Sequence, residues 1–425
     1  MSAAGRAVAS INLAAIERNT QRMLRELNGR ASLCAVVKAN GYGHGLVAAA
    51  RAAMGGGAGM LAVACAAEAR ALRRAGLVEV PLLVMGALTD GERREALSVN
   101  AEVVIWREEQ VEAVARAGGG RVHVKLDSGM GRLGTRDPEQ ATRVLRLARE
   151  RAGVQPVGVM THFATADDRS DEGFFASQLE LFRNWVEQVR AGGEHLIAHA
   201  ANSAATLRDP AAHLDMVRCG VALYGMDPFG SDPSAAGLEP ALELRSYVAE
   251  VKRCAPGQSV GYGRRFIASG ETEIAILPIG YGDGWRRALC GSGEVLISGR
   301  RRRLVGEVSM DNLAVVLSTA AESDPRHCCG PDLDVAKSSV ASGRDSRRDE
   351  LPGGELGEVA RGTPAVLVGV EGQERITAED VARWLGTINY EVTCALTSRV
   401  ERRYHRDGQQ LSEAGERDLA PGLEG

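Results

Sequence analysis

Residues 33–65 read LCAVVKANGYGHGLVAAARAAMGGGAGMLAVAC and contain one complete example of the unit from which the N-terminal part of the chain is built. Two short apolar runs, LCAVVK and LAVAC, enclose a glycine-rich polar bend and a stretch of helical length. A short apolar run, a helical stretch and a second apolar run predict a strand, a helix and a parallel strand. The stretch therefore predicts one β/α unit.

The same unit repeats through the first 240 residues. Segments of helical spacing, among them 90–98, 107–117, 137–151 and 173–190, separate eight apolar runs. The runs are LCAVVK, LAVAC, PLLVMG, EVVIW, VHVKLD, VGVMTHF, HLIAHA and DMVRCG. Eight such units predict an α/β fold with an N-terminal (β/α)8 TIM-type barrel over residues 1–240. An open doubly wound sheet is the alternative, but eight units favour closure.

From residue 241 the pattern changes to alternating apolar and polar residues that break at glycines, as in GEVLISGRRRRLVGEVSMDNLAVVL. This pattern predicts a C-terminal, mainly antiparallel β domain over residues 241–405. A hydrophilic insertion at about 318–362 interrupts it, and residues 406–425 predict a flexible tail. The insertion contains His327, Cys328 and Cys329, but no partner cluster has ligand spacing, so no metal is expected.

Composition narrows the class of protein. The chain has 425 residues, a net charge of -4 and 44% hydrophobic residues. These values are ordinary for a globular protein and give no reason to expect nucleic acid or membrane as a partner. Eight cysteines are scattered without a CxxC pair, and no signal peptide is indicated, so we expect reduced thiols in the cytoplasm.

Lysine is rare in this chain. Among 51 basic residues there are four lysines, at 38, 125, 252 and 337. A lysine can become a neutral amine and form a Schiff base, whereas an arginine cannot lose its proton. In a barrel, chemistry gathers at the C-terminal ends of the strands. The residues predicted at such ends are Lys38, Lys125, Asp127, His162, His199 and Arg218.

With these residues in place, the chain resembles the alanine racemase family from about residue 8 to 404, apart from the insertion. The matching motifs are AVVKANGYGHG, VKLDSGMGRLG, MTHFATAD, HAANSAATLR, MVRCGVALYG, VGYGRRF, PIGYGDGW, VGEVSMDN and INYEV. The resemblance implies an isomerase that interconverts L- and D-alanine with pyridoxal 5'-phosphate as cofactor. It also implies a supply of D-alanine for peptidoglycan and a homodimer with shared active sites.

The resemblance assigns two catalytic bases. It implies that Lys38 is joined to the cofactor as a Schiff base and serves one face of the substrate, while Tyr262 serves the other. Arg218 is expected to face the pyridine nitrogen, where a guanidinium cannot readily supply a proton. The full set of expected cofactor contacts is Lys38, Tyr42, His162, Asn202, Ser203, Arg218, Gly220, Val221 and Tyr390.

Further residues are implied for the substrate. Arg132 and the backbone N–H of Met310 are expected to bind its carboxylate, and the lysine that matches Lys125 is often carbamylated in the family. Tyr281 and Asp311 are the remaining expected site residues.

Three alternative functions can be considered from the sequence. A serine or broad-specificity racemase would share every motif, because pocket size sets preferences of only about 1–3 kcal/mol per methylene. A pyridoxal-phosphate decarboxylase would be expected to place a carboxylate at the ring nitrogen, and Arg218 argues against it. A non-catalytic binding protein would be a lone barrel, without the β domain that contains Tyr262.

Overall fold

The computed structural model describes residues 5–171, 173–193, 195–319 and 359–411. It divides into two compact units. The barrel unit comprises Ile11–Leu242, Ile388–Cys394 and the described residues from Arg402 onward, and the β unit comprises the described residues up to Ser10, Glu243–Thr387 and Ala395–Glu401. Most of the predicted insertion and tail lies outside the described residues, as do His327, Cys328 and Cys329.

Eight parallel strands build the barrel unit, in the order β8-β7-β6-β5-β4-β3-β2-β9. After β1 (Val8–Asn12) they are β2 (Ser32–Val36), β3 (Met60–Val63), β4 (Leu82–Val84), β5 (Glu102–Ile105), β6 (Gly120–Lys125), β7 (Val154–Met160), β8 (Ile197–His199) and β9 (Met216–Cys219). At the seam between β8 and β9, the Asp215 amide donates to the Ala198 carbonyl at 3.1 Å. The prediction of an eight-stranded barrel is confirmed, and each strand overlaps one of the eight apolar runs, although β2, β3, β6 and β7 begin before theirs.

Helices surround these strands. They are α1 (Leu13–Leu27), α2 (Lys38–Tyr42), α3 (Leu46–Gly55), α4 (Ala66–Arg74), α5 (Asp90–Ser98), α6 (Glu108–Arg116), α7 (Pro138–Glu150), α8 (Phe174–Ala191) and α9 (Ser203–Arg208). Strand β9 is followed by a short 3-10 turn, Val221–Tyr224, and α1 packs beside it. The Asn19 side chain of α1 donates to the carbonyls of Leu223 and Glu239, at 3.2 and 2.8 Å, so α1 is fixed next to the last strand.

The β unit is mainly antiparallel, as predicted. Its main sheet has the order β11-β14-β17-β16-β15-β18-β10. The strands are β10 (Leu242–Tyr247), β11 (Glu250–Cys254), β12 (Ser259–Val260), β13 (Phe266–Ile267), β14 (Thr272–Leu277), β15 (Glu294–Ile297), β16 (Arg300–Val305), β17 (Leu313–Thr319), β18 (Pro364–Glu371) and β19 (Glu374–Ile376). Strands β12 and β13 form a separate hairpin, and β19 pairs with β18.

The remaining elements follow β19. They are α10 (Ala378–Leu385), α11 (Asn389–Cys394), β20 (Glu401–Arg406) and β21 (Gln409–Gln410), the last two forming a hairpin. Helix α11 belongs to the barrel unit although it comes late in the chain. Of the helices in the described ranges, none is both long and apolar enough to cross a bilayer.

Candidate active site

The segment after β2 turns in the left-handed sense. Ala39, Asn40, Gly41 and Tyr42 have φ values of 53°, 55°, 60° and 51°. For a residue with a Cβ this conformation costs about 1–2 kcal/mol, and such strain persists only where the surroundings impose it. The turn places Lys38 at the C-terminal end of a barrel strand and Tyr42 in the interior, where its side chain is buried.

Three side chains hold this turn. The Ala39 amide donates to Glu68 Oε1 at 2.7 Å, and Asn40 Oδ1 accepts from the Leu46 amide at 2.9 Å. The buried His44 ring lies 3.0 Å from the Tyr42 carbonyl through Nδ1, which must be the protonated nitrogen because a carbonyl only accepts. These side-chain bonds add to the backbone bonds of the turn, such as that from the Gly41 amide to the Val37 carbonyl at 2.8 Å.

The two barrel lysines, Lys38 and Lys125, are influenced by neighbouring arginine charges that lower their pKa values. Burial, and then the charge of Arg132, lower the pKa of Lys38. Burial, followed by Arg218 and Arg132, lowers the pKa of Lys125 to about 8. Both amines therefore lose their protons at a lower pH than a free lysine, which favours the neutral, nucleophilic form.

Arg218 is buried in β9, with 3% of its surface exposed. Its guanidinium donates to the carbonyl oxygens of Thr161, His199 and Ala200 at 2.7, 2.8 and 3.0 Å. Burial lowers the pKa of Arg218 to about 10, which leaves the group charged at neutral pH. The guanidinium is thus a fixed, buried cation.

His162 lies beside this cation. Arg218 Nη2 is 3.2 Å from His162 Nδ1, and a guanidinium can only donate, so Nδ1 accepts and the ring proton is on Nε2. Burial and the charge of Arg218 keep the pKa of His162 well below its usual value. The structure thus brings His162 and Arg218 together with the imidazole neutral.

Hydrogen-bond donors converge at another part of the barrel mouth. Ser203 Oγ accepts from the amides of Gly220 and Ala222 at 3.0 and 3.4 Å. The Tyr42 hydroxyl lies next to Gly220, where an added Cβ would be 2.4 Å from it. The Tyr42 and Tyr390 ring centroids are 6.1 Å apart. The Ser203, Tyr42 and Tyr390 hydroxyls in this arrangement are suited to a phosphate group, and the Gly220 amide lies beside them.

Two further expected residues lie in this part of the site. Val221 begins the 3-10 turn directly after Gly220. Asn202 is the N-cap of α9, and its side chain accepts from the Ala205 amide at 2.9 Å.

Asp127 organises the loop that contains Arg132. Its carboxylate accepts from the amides of Gly129 and Gly131 at 3.0 and 2.9 Å. Ser128 is anchored in turn by a hydrogen bond of 2.8 Å to the Thr161 hydroxyl. Arg132 itself is exposed, so its guanidinium is available to an anion at the strand ends.

Four expected residues belong to the β unit: Tyr262, Tyr281, Met310 and Asp311. Tyr262 opens a 3-10 turn and is 72% exposed. Gly261 and Gly263, on either side, have φ values of 77° and 67° that favour glycine. A cavity of about 360 Å³ beside Tyr262 is lined by Val260, Gly261, Ile276, Glu307, Ser309, Asn312, Leu313 and Ala314.

Met310 lies in a tight turn. The Ser309 amide donates to the Asn312 carbonyl at 2.9 Å, and the Met310 carbonyl accepts from Gly282 at 2.9 Å. Within the described part of the chain, the Met310 amide donates to no acceptor. The Met310 N–H is therefore available to a ligand, while the neighbouring Asp311 is ion-paired to Arg399.

Some residues that shape the site were not predicted from the sequence. Glu68 accepts from the amides of Ala39 and Ala64, and its position in the first turn of α4 was the signal that could have identified it. Glu102 and His123 are buried inside the barrel, and no local pattern marked them.

Comparisons with known proteins cover almost the whole chain. The family model described as the alanine racemase N-terminal domain matches residues 11–228, and the model of the C-terminal domain matches residues 241–343 and 351–404. An alanine racemase of Desulforamulus reducens is 36% identical over 403 residues, which are 93% of this chain and 98% of that protein.

Solved structures agree with this. The alanine racemase from E. faecalis superposes with a TM-score of 0.79 at 34% identity, covering 94% of this chain and 98% of that one. The alanine racemase from Bacillus anthracis with bound L-Ala-P has a TM-score of 0.81 at 32% identity, covering 96% and 97%.

Proposed function

Because this chain belongs to the alanine racemase family, a family of pyridoxal-phosphate isomerases, we propose that it interconverts L-alanine and D-alanine. Lys38 and Tyr262 act as the two bases. The observation that carries the proposal is the Lys38 amine at the end of β2, whose pKa is lowered by burial and by Arg132. Such an amine is suited to Schiff-base formation and to proton transfer.

The barrel residues fit pyridoxal 5'-phosphate. The Tyr42, Tyr390 and Ser203 hydroxyls and the amides after β9 would hold its phosphate, and Arg218 would donate to its ring nitrogen. A buried guanidinium and two lysines with lowered pKa values match an anionic ligand. When bound, the cofactor supplies an electron sink that makes the substrate Cα proton acidic.

Racemisation requires proton transfer on both faces of the substrate Cα. Lys38 takes or returns the proton on one face through its Nζ atom. Tyr262 does the same on the opposite face through its hydroxyl, and its 72% exposure leaves that hydroxyl accessible. A proton removed by one group and returned by the other inverts the configuration, whereas exchange with one group alone retains it.

The substrate carboxylate needs donors. Arg132 supplies a guanidinium on a loop that Asp127 holds by two backbone amides. Met310 supplies an N–H that no acceptor occupies within the described residues. Together they would fix the carboxylate and orient the Cα–H bond toward the bases.

The active unit in this proposal is a homodimer. Tyr262, Tyr281 and Met310 are 72%, 43% and 52% exposed in the single chain. Large side chains of this kind on one surface are typical of an interface. We propose that Tyr262 serves the partner subunit's Lys38, so each site is completed by two chains.

The proposed role is to make D-alanine in the cytoplasm for use in peptidoglycan. The test is to incubate purified protein and cofactor with L-alanine and to separate the enantiomers. The expected result is D-alanine, approaching a racemic mixture, with no carbon dioxide released. Lys38→Arg, which keeps the charge but cannot form a Schiff base, should be inactive. Carbon dioxide release, or faster turnover of L-serine than L-alanine, would contradict the proposal.

A further inference from the structure

A buried chain of hydrogen bonds runs through the barrel interior to Arg218. Arg218 Nη1 is 2.9 Å from His199 Nδ1, and His199 Nε2 is 2.8 Å from His123 Nδ1. His123 Nε2 is 2.6 Å from Glu102 Oε2. These four side chains come from β9, β8, β6 and β5, and each is at most 6% exposed. We call this set the Glu102 relay.

The chemistry of the groups fixes every proton in the relay. A guanidinium can only donate, so His199 Nδ1 accepts and its ring proton must be on Nε2. That proton is donated to His123 Nδ1, which is therefore bare, and the remaining proton of His123 is donated to Glu102. A second proton on either ring would set two donors against each other, so both imidazoles are neutral. Burial and the charge of Arg218 also keep the pKa of His199 well below its usual value.

The relay connects a buried cation to a buried anion. In the described part of the chain, Arg218 has carbonyl and imidazole partners but no carboxylate in contact. Glu102 is the carboxylate at the far end, and its other oxygen is 2.9 Å from Arg121. An unpaired buried ion costs several kcal/mol, and polarised hydrogen-bond chains strengthen one another, so Glu102 offsets part of the cost of Arg218.

The barrel leaves space for this relay. Gly158 of β7 packs against His123, and an added Cβ would lie 2.2 Å from His123 Nδ1. Non-bonded heavy atoms do not come this close to a Cβ atom in real structures, so an alanine at position 158 would displace the His123 ring. Gly158 is therefore the residue through which the relay can be broken without changing any of its polar groups.

We infer that Glu102, His123 and His199 are positioning residues for Arg218: they fix the guanidinium and keep it a donor toward the cofactor ring nitrogen. This inference rests on the proposed function. It adds a buried carboxylate and two imidazoles of fixed tautomer to the groups that control the electron sink.

The first test reads the tautomers directly. Protein labelled with [15N]histidine is examined without and with cofactor by long-range 1H–15N correlation, and His123→Gln and His199→Gln assign the signals. Both rings should carry one proton, on Nε2, between about pH 6 and 8. A doubly protonated ring, or a proton on Nδ1 of either residue, would overturn the relay. This measurement needs no turnover, so it stands even if the native protein proves to have no racemase activity.

The second test uses kinetics. Gly158→Ala should lower kcat by about ten- to a hundredfold with KM within about threefold, because the effect is on the orientation of Arg218. Gly59→Ala is the matched control, since its Cβ would have no heavy atom within 4 Å. Glu102→Gln, which keeps an acceptor oxygen but removes the charge, should lower kcat and shift the relay signals. Glu112→Gln, in an exposed ion pair with Arg151, should do neither. Native kcat in both Gly158→Ala and Glu102→Gln would overturn the inference.

Discussion

Individual side chains in this barrel take their reactivity from neighbouring charges. Lysine rarity, together with the predicted strand ends, was enough to single out Lys38 and Lys125 from Lys252 and Lys337. Their lowered pKa values could not be predicted, because they depend on burial and on Arg132 and Arg218, which lie far away in sequence. The same holds for Glu102 and His123, whose partners come from other strands.

Lys125 is expected to form a carbamate. Its pKa of about 8, lowered by burial and by Arg218, means that the neutral amine reaches half its population near pH 8 instead of near 10.4. The neutral amine adds to carbon dioxide and releases one proton, which gives an anion between two arginines. The carbonyl signal from 13C-labelled carbon dioxide should therefore grow as pH rises from about 6 to 8. It should persist in Lys252→Ala, a change at an exposed lysine, and its persistence in Lys125→Ala would contradict the assignment.

Tyr262 is expected to act on one face only. In deuterium oxide, Tyr262→Phe should lose racemisation. Exchange of the Cα proton should persist for D-alanine and be lost for L-alanine, because Lys38 still serves its own face. Proton NMR of each enantiomer measures the exchange. Tyr247→Phe, a change at another tyrosine of the β unit, should leave both reactions unchanged. Equal loss of exchange from both enantiomers would argue against a tyrosine base.

Secondary-structure elements were the most predictable level of this molecule. All eight barrel strands overlap the predicted apolar runs, because strands buried on both faces are continuously apolar. The left-handed turn at residues 39–42 was not predicted, since Ala39 and Tyr42 have no local preference for it. Tertiary partners impose it, among them Glu68 and His44.

Gly43 tests how closely α11 packs on this turn. Its φ is 86°, and an added Cβ would lie 2.1 Å from the Thr393 carbonyl oxygen, a backbone atom that cannot rotate away. Gly43→Ala should lower the free energy of unfolding by about 2–4 kcal/mol and weaken cofactor binding. Gly29→Ala, with φ of 68° and nothing within 4 Å, should cost only about 1 kcal/mol. Chemical denaturation measures both free energies of unfolding. Equal losses would mean that backbone strain alone, without the contact to α11, sets the cost of each substitution.

In the chain as a whole, β17 ends at Thr319 and β18 begins at Pro364. Composition predicted the insertion at about 318–362. In the β unit, β16 and β15 lie between these two strands, and every pairing is antiparallel. The end of β17 and the start of β18 are therefore on the same edge of the sheet, about 14 Å apart at the usual strand spacing.

Replacing the insertion should leave the chemistry intact. A glycine-serine linker of about 12 residues has an average span of about 19 Å, which is enough to join the two strands. We expect turnover and cofactor content within a few fold of the native protein. A linker of about two residues cannot reach across 14 Å and should prevent folding of the β unit. Loss of activity with the longer linker would show that the insertion contributes to the site.

Subunit exchange shows whether the two bases of one site come from two chains. Lys38→Ala and Tyr262→Phe, each inactive alone, are mixed in equal amounts under conditions in which random exchange is proven by mass labelling. Half of the dimers become hybrids, and in each hybrid one site pairs an intact Lys38 with the partner subunit's Tyr262. Racemase activity should therefore return to roughly a quarter of the native value. If both bases came from the same chain, every site would retain a defect, and a mixture that stays inactive after proven exchange would rule out a site shared between subunits.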